Sequence, residues 1–454
     1  MSVGLLSAVV LAAGKGTRMR APLPKVLHPL AGRPLIGHVL KLTQDLGCER
    51  TVLVLAPGME TVENVAREID PELRIAIQDP PLGTGHAVAA AMDGLEGRGT
   101  VLVLFGDTPL LLEDTVRRLV AARELHGAAV AVLGMNPPAN DGYGRLRIGD
   151  DGHLVEIVEH RHADEKLRRE GLCNSGVMAI DGALLRELVE AIELQPEKNE
   201  YYLTDIVTLA VRRGYNCVSL EGPWQEGHGV NSQAQLAEAE AIWQNRRRTE
   251  LMDAGVIMPA PETVWLCADV DICAGAVIEP NVVFAGRAQV GEGARIRAFS
   301  HVEDADIGPG AIVGPYARLR PGSRLAADVH VGNFVEIKNA ELGPGAKANH
   351  LTYLGDCSVG GGSNIGAGTI TCNYDGFGKH RTELGERVFI GSNSALVAPV
   401  SIGDGAIVGA GSVITRNVPA GAVALTRSPQ NVHEGAAEPL RQKLRKARNA
   451  RKRG

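Results

Sequence analysis

The stretch LGERVFIGSNSALVAPVSIGDGAIVGAGSVI, residues 384–414, decides the fold of the second half of the chain. It places an aliphatic residue at every sixth position: Leu384, Ile390, Leu396, Ile402, Val408 and Ile414. A period of six suits neither an α-helix nor an ordinary strand. It is typical of a parallel β-helix, in which each six-residue unit supplies a short strand and a turn and three units close one coil.

The same period extends back toward residue 266, with one slip of a single residue. Its aliphatic positions are Leu266, Ile272, Ile278, Phe284, Val290, Ile296 and Val302, then Ile307, Val313, Leu319, Leu325, Val331 and Ile337. One coil cannot bury its apolar face alone, so a long stack with a continuous inner core is predicted.

The length and charge of the chain limit its possible domain organisation and binding partners. The chain has 454 residues, too many for one typical core, so two domains are expected. The net charge is −6, and residues 441–454 carry eight Lys or Arg and no acid, which leaves −14 on the rest of the chain. An acidic body argues against nucleic-acid binding by the main surface. The basic tail is either a solvated terminus or a contact for polyanions.

Cysteine usage and the first residues indicate a cytoplasmic protein. The seven cysteines are scattered and form no C-x-x-C pair, so neither a disulfide framework nor a zinc site is predicted. The apolar residues 3–13 lack a positive region before them and are too few to span a bilayer. We therefore expect a buried first strand, reduced thiols and no membrane partner.

Up to about residue 231, short apolar runs alternate with helical patterns. Strands are predicted at residues 7–11, 51–55, 74–77, 101–105 and 128–133. This alternation predicts a Rossmann-like α/β domain, with a mostly parallel sheet and helices on both faces. Ligands of such sheets bind at the carboxyl ends of the strands.

The first predicted strand runs into a glycine-rich loop, residues 11–18 (LAAGKGTR), which Pro24-Lys25 follows. Small residues let backbone N–H groups approach phosphate oxygens, and Lys15, Arg18 and Lys25 add positive charge. The spacing fits neither a Walker A loop nor a dinucleotide-binding fingerprint. A plain tight turn is the alternative, which the added cations disfavour.

The fourth predicted strand ends in Phe105-Gly106-Asp107, which puts a carboxylate at the same edge of the sheet. An oxygen ligand beside phosphates suits Mg²⁺. Alternatively, Asp107 is the N-cap of the helix that follows. The clusters at residues 83–86 (GTGH), 141–145 (DGYGR) and 158–160 (VEH) fit binding loops and plain turns equally well.

Between the two halves, residues 233–253 contain no Gly or Pro and place Leu236, Ala239 and Trp243 at helical spacing. This pattern predicts a connecting helix. We interpret its arginines at 246–248 as a solvated face. The predicted division is 1–231 for the first domain, 232–252 for the linker helix and 253–454 for the β-helix with its basic tail.

Two segments of the β-helix carry more polar residues than a scaffold needs. Residues 330–338 and 349–356 place ionisable side chains on consecutive coils, and residues 368–382 interrupt the hexads and must loop out. A lone His350 is more often a surface residue than a base. Cations at Arg320 and Lys338 nearby could hold a phosphate, which favours His350 as the base that accepts a proton from an attacking amine.

The segment from residue 11 to 25 resembles the signature of sugar-phosphate nucleotidyltransferases, and Gln78, Gly83-Thr84 and Phe105-Gly106-Asp107 follow in the expected order. Together with the hexapeptide half, the chain resembles over nearly its whole length the GlmU family. These are bifunctional N-acetylglucosamine-1-phosphate uridyltransferases and glucosamine-1-phosphate acetyltransferases.

For the first domain, the resemblance implies transfer of UMP from UTP to N-acetylglucosamine 1-phosphate, with Mg²⁺ and release of pyrophosphate. Arg18 and Lys25 would neutralise the phosphates. The implied nucleotide and sugar contacts are Leu11, Ala12, Ala13, Gly14, Lys25, Gln78, Gly83, Thr84, Phe105, Gly106, Asp107, Gly144, Glu159, Asn174 and Asn231, of which Asp107 and Asn231 would bind the metal. Two departures are Phe105, where the family commonly has Tyr, and Ser175, where Thr is usual.

For the second domain, the resemblance implies a left-handed coil, a homotrimer, and acetylation of glucosamine 1-phosphate by acetyl-CoA with His350 as the general base. Arg320, Lys338, Tyr353 and Asn364 would bind the sugar phosphate. Ala367, Asn373, Tyr374, Ser392, Ala410 and Arg427 would hold acetyl-CoA. The product, UDP-N-acetylglucosamine, feeds peptidoglycan and lipopolysaccharide precursors.

Two alternatives remain open from the sequence alone. The β-helix could only oligomerise or regulate a nucleotidyltransferase, as in enzymes similar to glucose-1-phosphate adenylyltransferases. It could also be a structural or binding solenoid without activity. Residues 349–353 and the insertion at 373–376 argue against the first alternative, and the phosphate loop argues against the second.

Overall fold

The computed structural model describes residues 5–14, 16–138 and 142–451. It divides into two compact units, an N-terminal unit (Met1–Glu250 with Leu266–Ala268) and a C-terminal unit (Leu251–Trp265 with Asp269–Gly454). Lys15, Asp141 and the last three residues of the basic tail, which entered the sequence predictions, lie outside the described residues.

The N-terminal unit alternates strands with helices. Its strands are β1 (Leu6–Leu11), β2 (Pro29–Leu30), β3 (Arg33–Pro34), β4 (Arg50–Leu55), β5 (Arg74–Ile77), β6 (Thr100–Phe105), β7 (Val130–Met135), β8 (Arg145–Ile148), β9 (Leu154–Val158), β10 (Cys173–Asp181), β11 (Leu194–Gln195), β12 (Glu200–Tyr201) and β13 (Cys217–Glu221). Its helices are α1 (Leu35–Asp45), α2 (Glu60–Ile69), α3 (Thr84–Ala91), α4 (Glu113–Leu125), α5 (Glu165–Glu170), α6 (Gly182–Glu190), α7 (Asp205–Arg212) and α8 (Gln233–Asp253), with short 3₁₀ turns at Thr17–Met19, Lys25–Leu27 and Met92–Gly94.

The main sheet has the order β13-β7-β10-β6-β1-β4-β5. Strands β6, β1, β4 and β5 pair in parallel, β13 is parallel to β7, and β10 runs antiparallel to both of its neighbours. β1 shows why the sheet has helices on both faces. Its residues Ala8 and Val10 pack into one apolar layer, whereas Val9 and Leu11 pack into the other. The predicted Rossmann-like sheet is therefore confirmed.

Two local predictions in this unit need correction. The strand predicted at residues 128–133 begins and ends two residues later, as β7, because Gly134 and Met135 still pair with Asn174 and Cys173 of β10. Asp107 does not cap the following helix. That helix, α4, begins at Glu113 with Leu112 at its N-cap position.

The connecting helix is present as α8, with the predicted bounds. Its arginines are not a uniformly solvated face, so that interpretation is wrong. Arg248 is 8% exposed and donates to the carbonyl of Gln244 and the side chain of Asn245. Arg246 donates to the carbonyl of Leu110 at 2.9 Å. The Arg246 contact ties the helix to the segment at Leu110, whereas these Arg248 contacts lie within the helix.

The C-terminal unit consists mainly of short parallel strands. They are β14 (Val270–Ile272), β15 (Val277–Ile278), β16 (Val283–Val290), β17 (Arg295–Ile296), β18 (His301–Ile307), β19 (Ile312–Val313), β20 (Arg318–Leu319), β21 (Ser323–Leu325), β22 (His330–Asn333), β23 (Glu336–Leu342), β24 (Lys347–His350), β25 (Tyr353–Val359), β26 (Asn364–Ile365), β27 (Ile370–Cys372), β28 (Thr382–Leu384), β29 (Phe389–Ile390), β30 (Ala395–Val397), β31 (Val400–Ile402), β32 (Ile407–Val408), β33 (Val413–Ile414) and β34 (Val423–Ala424). A 3₁₀ turn at Pro261–Thr263 precedes them, and α9 (Ala437–Arg451) follows.

These strands form a left-handed parallel β-helix, as predicted. One sheet follows the order β15-β17-β19-β22-β24-β26-β29-β32-β34, and the other contains β14, β16, β18, β20, β23, β25, β27, β30 and β33 with β21, β28 and β31 beside them. Aligned residues lie 17 or 18 positions apart on most coils, for example Val277, Arg295 and Ile312. Every aliphatic residue of the predicted hexad positions is at most 4% exposed. The six-residue period therefore marks the inner core.

No helix within the described residues is long and apolar enough to cross a membrane. The C-terminal helix α9 carries much of the basic tail, and all of its residues are exposed.

Candidate functional sites

A cavity of about 500 Å³ lies at the carboxyl ends of β1 and β6 in the N-terminal unit. It collects most of the residues predicted for the uridyltransferase site: Leu11, Ala12, Ala13, Gly14, Lys25, Gln78, Gly83, Thr84, Phe105, Asp107, Glu159 and Asn174. Four others are placed differently. Gly106 and Gly144 contribute backbone beside it, Asn231 contacts Lys25, and Arg18 lies exposed on the 3₁₀ turn that follows the loop.

Lys25 and Asp107 are an oppositely charged pair in the lining of this cavity, and Asn231 contacts Lys25 beside them. The Lys25 ammonium makes an ion pair with the Asp107 carboxylate and lies 3.1 Å from the side-chain oxygen of Asn231. Gly16 allows this approach, since a Cβ at that residue would lie 2.5 Å from the Cβ of Lys25. Its φ of +58° also favours glycine.

Backbone contacts bring Asp107 and Asn231 together from distant parts of the chain. The amide of Val230 donates to the carbonyl of Asp107 at 2.9 Å. The Asn231 side chain donates to the carbonyl of Gly229 at 3.3 Å, which turns its oxygen toward Lys25. Two oxygen ligands suit a magnesium ion that takes its remaining ligands from phosphates and water. The described residues contain no cluster of three or more His, Cys, Asp or Glu side chains suited to a metal.

A second wall of the cavity is built around Gly83. The buried Gln78 side chain donates to the Gly83 carbonyl at 2.8 Å. Gly83 has φ of +95°, and a Cβ there would lie 2.7 Å from the carbonyl oxygen of Tyr201. A side chain at this residue would therefore push the wall apart.

The sequence analysis missed the segment that packs on this wall, residues 200–204. The amide of Tyr201 donates to the carbonyl of Leu82 at 2.7 Å, and the amide of Leu203 donates to the Thr84 hydroxyl at 3.1 Å. Glu200, Tyr202 and Thr204 line the cavity. The Tyr202 hydroxyl is buried without a hydrogen-bond partner among the described residues. No local motif in the sequence indicates this segment, because the residues it contacts lie more than a hundred positions earlier in the chain.

Glu159 and Asn174 line the cavity, and Gly144 lies beside Asn174. The amide of Asn174 donates to the carbonyl of Gly144 at 2.9 Å. The side-chain oxygen of Asn174 accepts from the amide of Gly176 at 2.9 Å. Phe105 and Ser175 are the two residues at which the chain departs from the family pattern. The Phe105 ring packs against Gly176, where a Cβ would lie 2.7 Å from the ring. The Ser175 hydroxyl donates to the carbonyl of Leu133 at 2.7 Å.

In the C-terminal unit, His350 ends β24 and is exposed. Its Nδ1 lies 2.8 Å from the side-chain oxygen of Asn333 on the neighbouring coil. A carboxamide oxygen accepts, so the ring donates from Nδ1 and keeps an unprotonated Nε2 in its neutral form. That tautomer can accept a proton. Asn333 was not predicted, although it falls in one of the two polar segments.

Three cations gather beside β23 and β25. Arg320 Nη1 makes an ion pair with Glu336 at 2.8 Å. Contact with the Lys379 side chain lowers the pKa of Lys338, and the charges of Lys379 and Arg320 act in the same direction. Clustered like charges favour an anion between them. Lys379 was missed because the loop that carries it has no regular period.

The predicted loop at residues 368–382 is present. Asn364 aligns with Phe389, 25 positions later, whereas neighbouring coils need 17 or 18. The Asn373 side chain donates to Asp356, which also accepts from Asn339 at 2.6 Å. Tyr374 lies on the outer part of the loop and is 63% exposed. Phe377, near its tip, is 99% exposed.

The remaining predicted acetyl-CoA residues lie along one edge of the β-helix. Ala367, Ser392 and Ala410 each precede a corner residue, Gly368, Asn393 and Gly411, whose φ is positive. Arg427 reaches this edge and donates to the carbonyl of Ala410 at 2.9 Å. The predicted sugar-phosphate residues are divided between two sheets. Lys338 and Tyr353 lie on one, next to Arg320, while Asn364 lies on the other with His350.

Four bulky residues take the same corner on consecutive coils, and we call them the apolar ladder: Phe299, Tyr316, Phe334 and Leu351. Their φ values are 60°, 55°, 56° and 51°, a region that costs non-glycine residues free energy. The three rings stack with centroids 5.0 and 5.4 Å apart. Each side chain is about half exposed or more. Toward either end of the β-helix this corner carries Asn281, Gly368, Asn393 and Gly411 instead.

The fold and the two clusters define a class of protein: a nucleotidyltransferase-type α/β unit joined to a hexapeptide-repeat unit with acyltransferase features. Comparison with known proteins agrees. Residues 8–170 match the family model of the MobA-like NTP transferase domain, and residues 381–416 match the hexapeptide repeat of succinyl-transferase.

Curated relatives cover both units together. Proteins called bifunctional protein GlmU are 52% identical in Rhodospirillum rubrum and 49% identical in Bradyrhizobium sp. (strain ORS 278), over 97% of this chain and 98% of each relative. The relative from Zymomonas mobilis is 47% identical over the same shares. A solved UDP-glucose pyrophosphorylase, complexed with UDP-glucose, covers 54% of this chain and all of its own, at 17% identity and a TM-score of 0.45, too weak a likeness to support an inference.

The chain therefore belongs to the GlmU family. It is a bifunctional enzyme of UDP-N-acetylglucosamine synthesis, with uridyltransferase and glucosamine-1-phosphate acetyltransferase activities.

Proposed function

We propose that the N-terminal unit, with the boundary near residue 231, transfers UMP from UTP to N-acetylglucosamine 1-phosphate. The sugar phosphate oxygen attacks the α-phosphorus and pyrophosphate leaves in line. Catalysis of this kind depends on positioning and charge neutralisation more than on a side-chain nucleophile. The observation that supports it is the pair Lys25 and Asp107, with Asn231 in contact with Lys25, in a cavity that residues 11–14 of the glycine-rich loop also line.

Each group has a distinct task in this proposal. Lys25 and the exposed Arg18 bind phosphate oxygens, and the backbone of Leu11, Ala12, Ala13 and Gly14 borders the nucleotide. Gln78, Gly83 and Thr84 hold the uracil end, and Glu159 and Asn174 bind the sugar beside Gly144. Asp107 and Asn231 hold Mg²⁺, which, when bound, neutralises charge on the transferred phosphoryl group.

We propose that the C-terminal unit, from about residue 253, acetylates glucosamine 1-phosphate with acetyl-CoA. The amine attacks the thioester carbonyl, His350 Nε2 takes the amine proton, and the carbon–sulfur bond breaks to release CoA. Arg320 and Lys338 bind the phosphate, with Tyr353 and Asn364 on the sugar. Acetyl-CoA lies along the edge formed by Ala367, Ser392 and Ala410, between Asn373 and Tyr374 at one end and Arg427 at the other.

We propose that the acetyltransferase works as a homotrimer. The predicted sugar-phosphate residues are divided between two sheets of one β-helix, so a second chain is needed to enclose the substrate. The apolar ladder supports this, because stacked and exposed rings in unfavourable backbone conformations indicate a surface that a partner covers. A second copy of this chain is the expected partner.

We place this enzyme in the cytoplasm, where UTP and acetyl-CoA are made and where its seven cysteine thiols stay reduced.

The test of the bifunctional assignment is release of CoA thiol from acetyl-CoA and glucosamine 1-phosphate, without UTP. We expect the parent chain to release thiol and the His350→Ala variant to be slower by about 10²–10⁴-fold. Uridylyl transfer by the same variant should stay within about twofold of the parent, because His350 lies in the other unit. If the folded parent chain releases no thiol, the β-helix is only a scaffold and the acetyltransferase assignment is wrong.

A further inference from the structure

Lys25 occupies the space between the two oxygen ligands proposed for the metal. Its ammonium contacts the Asp107 carboxylate and lies 3.1 Å from the Asn231 oxygen. An ammonium is a compact cation with three donors and can satisfy both oxygens at once. The Lys25 and Asp107 side chains are only 12% and 16% exposed, so water screens their attraction weakly.

This arrangement is held in place by the surrounding backbone. The bond from the Val230 amide holds the main-chain carbonyl of Asp107, and the bond from the Asn231 side chain to Gly229 orients the Asn231 oxygen. Gly16 leaves room for the Lys25 stem. The side chain of Lys25, by contrast, is long and has many rotamers. Lys25 is therefore the member of the cluster whose side chain has the most rotatable bonds.

A divalent cation and the Lys25 ammonium compete for these oxygens. Magnesium binds oxygen at about 2.0–2.1 Å, so an ion on Asp107 would lie within a few ångströms of an ammonium in the same position. Their repulsion in a partly buried site is large. A metal that takes both oxygens must therefore displace Lys25, and a phosphate group offers the displaced ammonium another anion.

We propose that Lys25 is an exchangeable counter-ion that couples metal binding to nucleotide binding. Without nucleotide it neutralises Asp107 and competes with divalent cations. A bound triphosphate attracts the ammonium to its own oxygens and opens Asp107 and Asn231 to the metal. By linkage, the metal must then strengthen nucleotide binding by the same factor. The proposal rests on the uridyltransferase site proposed above, and it adds an order of events that the assignment of ligands does not contain.

The experiment uses the full chain without nucleotide and Mn²⁺ as the probe, with free Mn²⁺ measured by electron paramagnetic resonance. We expect Lys25→Met to bind one Mn²⁺ at least tenfold more tightly than the parent. Adding UTP should tighten Mn²⁺ binding by the parent much more than binding by Lys25→Met. An unchanged Mn²⁺ affinity in the folded Lys25→Met variant would overturn the proposal.

Three controls test whether the change in Mn²⁺ affinity comes from Lys25 and Asp107. Arg18→Met removes a cation next to the same loop and should leave Mn²⁺ affinity within about twofold, since Arg18 lies on the exposed turn. Lys25→Met combined with Asp107→Asn should lose the gain, which would place the ion on Asp107. If Lys25→Met melts at a much lower temperature than the parent, Lys25→Gln replaces it, with the same tenfold gain required.

Uridylyl transfer by Asp107→Asn separates failure of this inference from failure of the proposed function. A variant that transfers at the parent rate would refute the metal assignment itself. A variant that is inactive, together with unchanged Mn²⁺ affinity in Lys25→Met, would leave the site assignment standing and remove only the counter-ion role.

Discussion

The two units of this enzyme place their candidate residues in opposite settings. In the N-terminal unit, loops from distant parts of one chain converge on a cavity, and Lys25 contacts both Asp107 and Asn231 there. In the C-terminal unit, His350 and Lys338 lie on different sheets along the outside of a convex β-helix. Strand ends of an open sheet can enclose a ligand within one chain. For the outside of the β-helix, we propose that a neighbouring chain supplies the second surface.

The largest expected effect concerns the uridyltransferase cavity of the N-terminal unit. We expect Asp107→Asn to slow uridylyl transfer by about 10²-fold or more, because a neutral amide binds the metal weakly and leaves the Lys25 charge uncompensated. Acetyl transfer should be unchanged. Pyrophosphate release and CoA thiol release, measured on one preparation, give both rates, and parallel loss of both would contradict the separation of the two sites.

The next effect tests the need for a second surface. Tyr316→Glu and Phe334→Glu place charges in the middle of the apolar ladder, and we expect them to dissociate the oligomer. Acetyl transfer should fall at least tenfold while uridylyl transfer stays within about twofold. Light scattering and the two activity assays provide the measurements.

Leu125→Glu is the matched control for the ladder variants. Leu125 is 83% exposed at the end of α4 in the N-terminal unit, so this change adds the same charge away from the ladder. It should change neither mass nor activity. A ladder variant that is monomeric by mass and still acetylates at the parent rate would show that one chain suffices.

A smaller effect is expected from the group that orients His350. Asn333→Ala removes the acceptor for Nδ1, which frees the ring to rotate and to change tautomer. We expect the kcat of acetyl transfer to fall about tenfold with little change in the KM for acetyl-CoA. Asn333→Asp keeps an acceptor and stabilises the protonated ring, so it should restore much of the rate and move the pH profile to higher pH. Equal loss in both variants would indicate a merely structural role.

The smallest effect concerns the basic tail. Removing the residues after 436 deletes α9, all of whose residues are exposed. We expect both activities to stay within about twofold of the parent. The melting temperature should change by no more than about 2 °C. A large loss of either activity would show that the tail contacts a substrate or a neighbouring chain.

Local patterns predicted those parts of the molecule that depend on local periodicity. The inward hexad residues, the sheet of the N-terminal unit and the position of Asp107 at a strand end were all readable because each follows from residues close together in sequence. The predicted bounds of α8 were also correct. Its burial was not, because the environment of Arg248 depends on which segment packs against it.

The candidate sites were predictable to a smaller extent. Residues 200–204 line the uridyltransferase cavity through contacts with Leu82 and Thr84, more than a hundred residues away. Lys379 joins Lys338 because an irregular loop folds back onto the coils. Asn333 contacts His350 because coils repeat every 17 or 18 residues, a spacing that the hexad period already contains. Of these, Asn333 alone could have been found by adding one coil length to each polar residue.

The enlarged coil at residues 368–382 shows how a regular scaffold acquires new chemistry. The extra residues leave at a corner, and Asn364 still pairs with Phe389 as though nothing had been added. Growth at a corner thus leaves neighbouring registers intact, so a β-helix tolerates additions there that a closed barrel or a helical bundle would not. Such corners are natural positions for grafting loops of other lengths, and for changing the acyl group or acceptor that this enzyme accepts without redesigning its core.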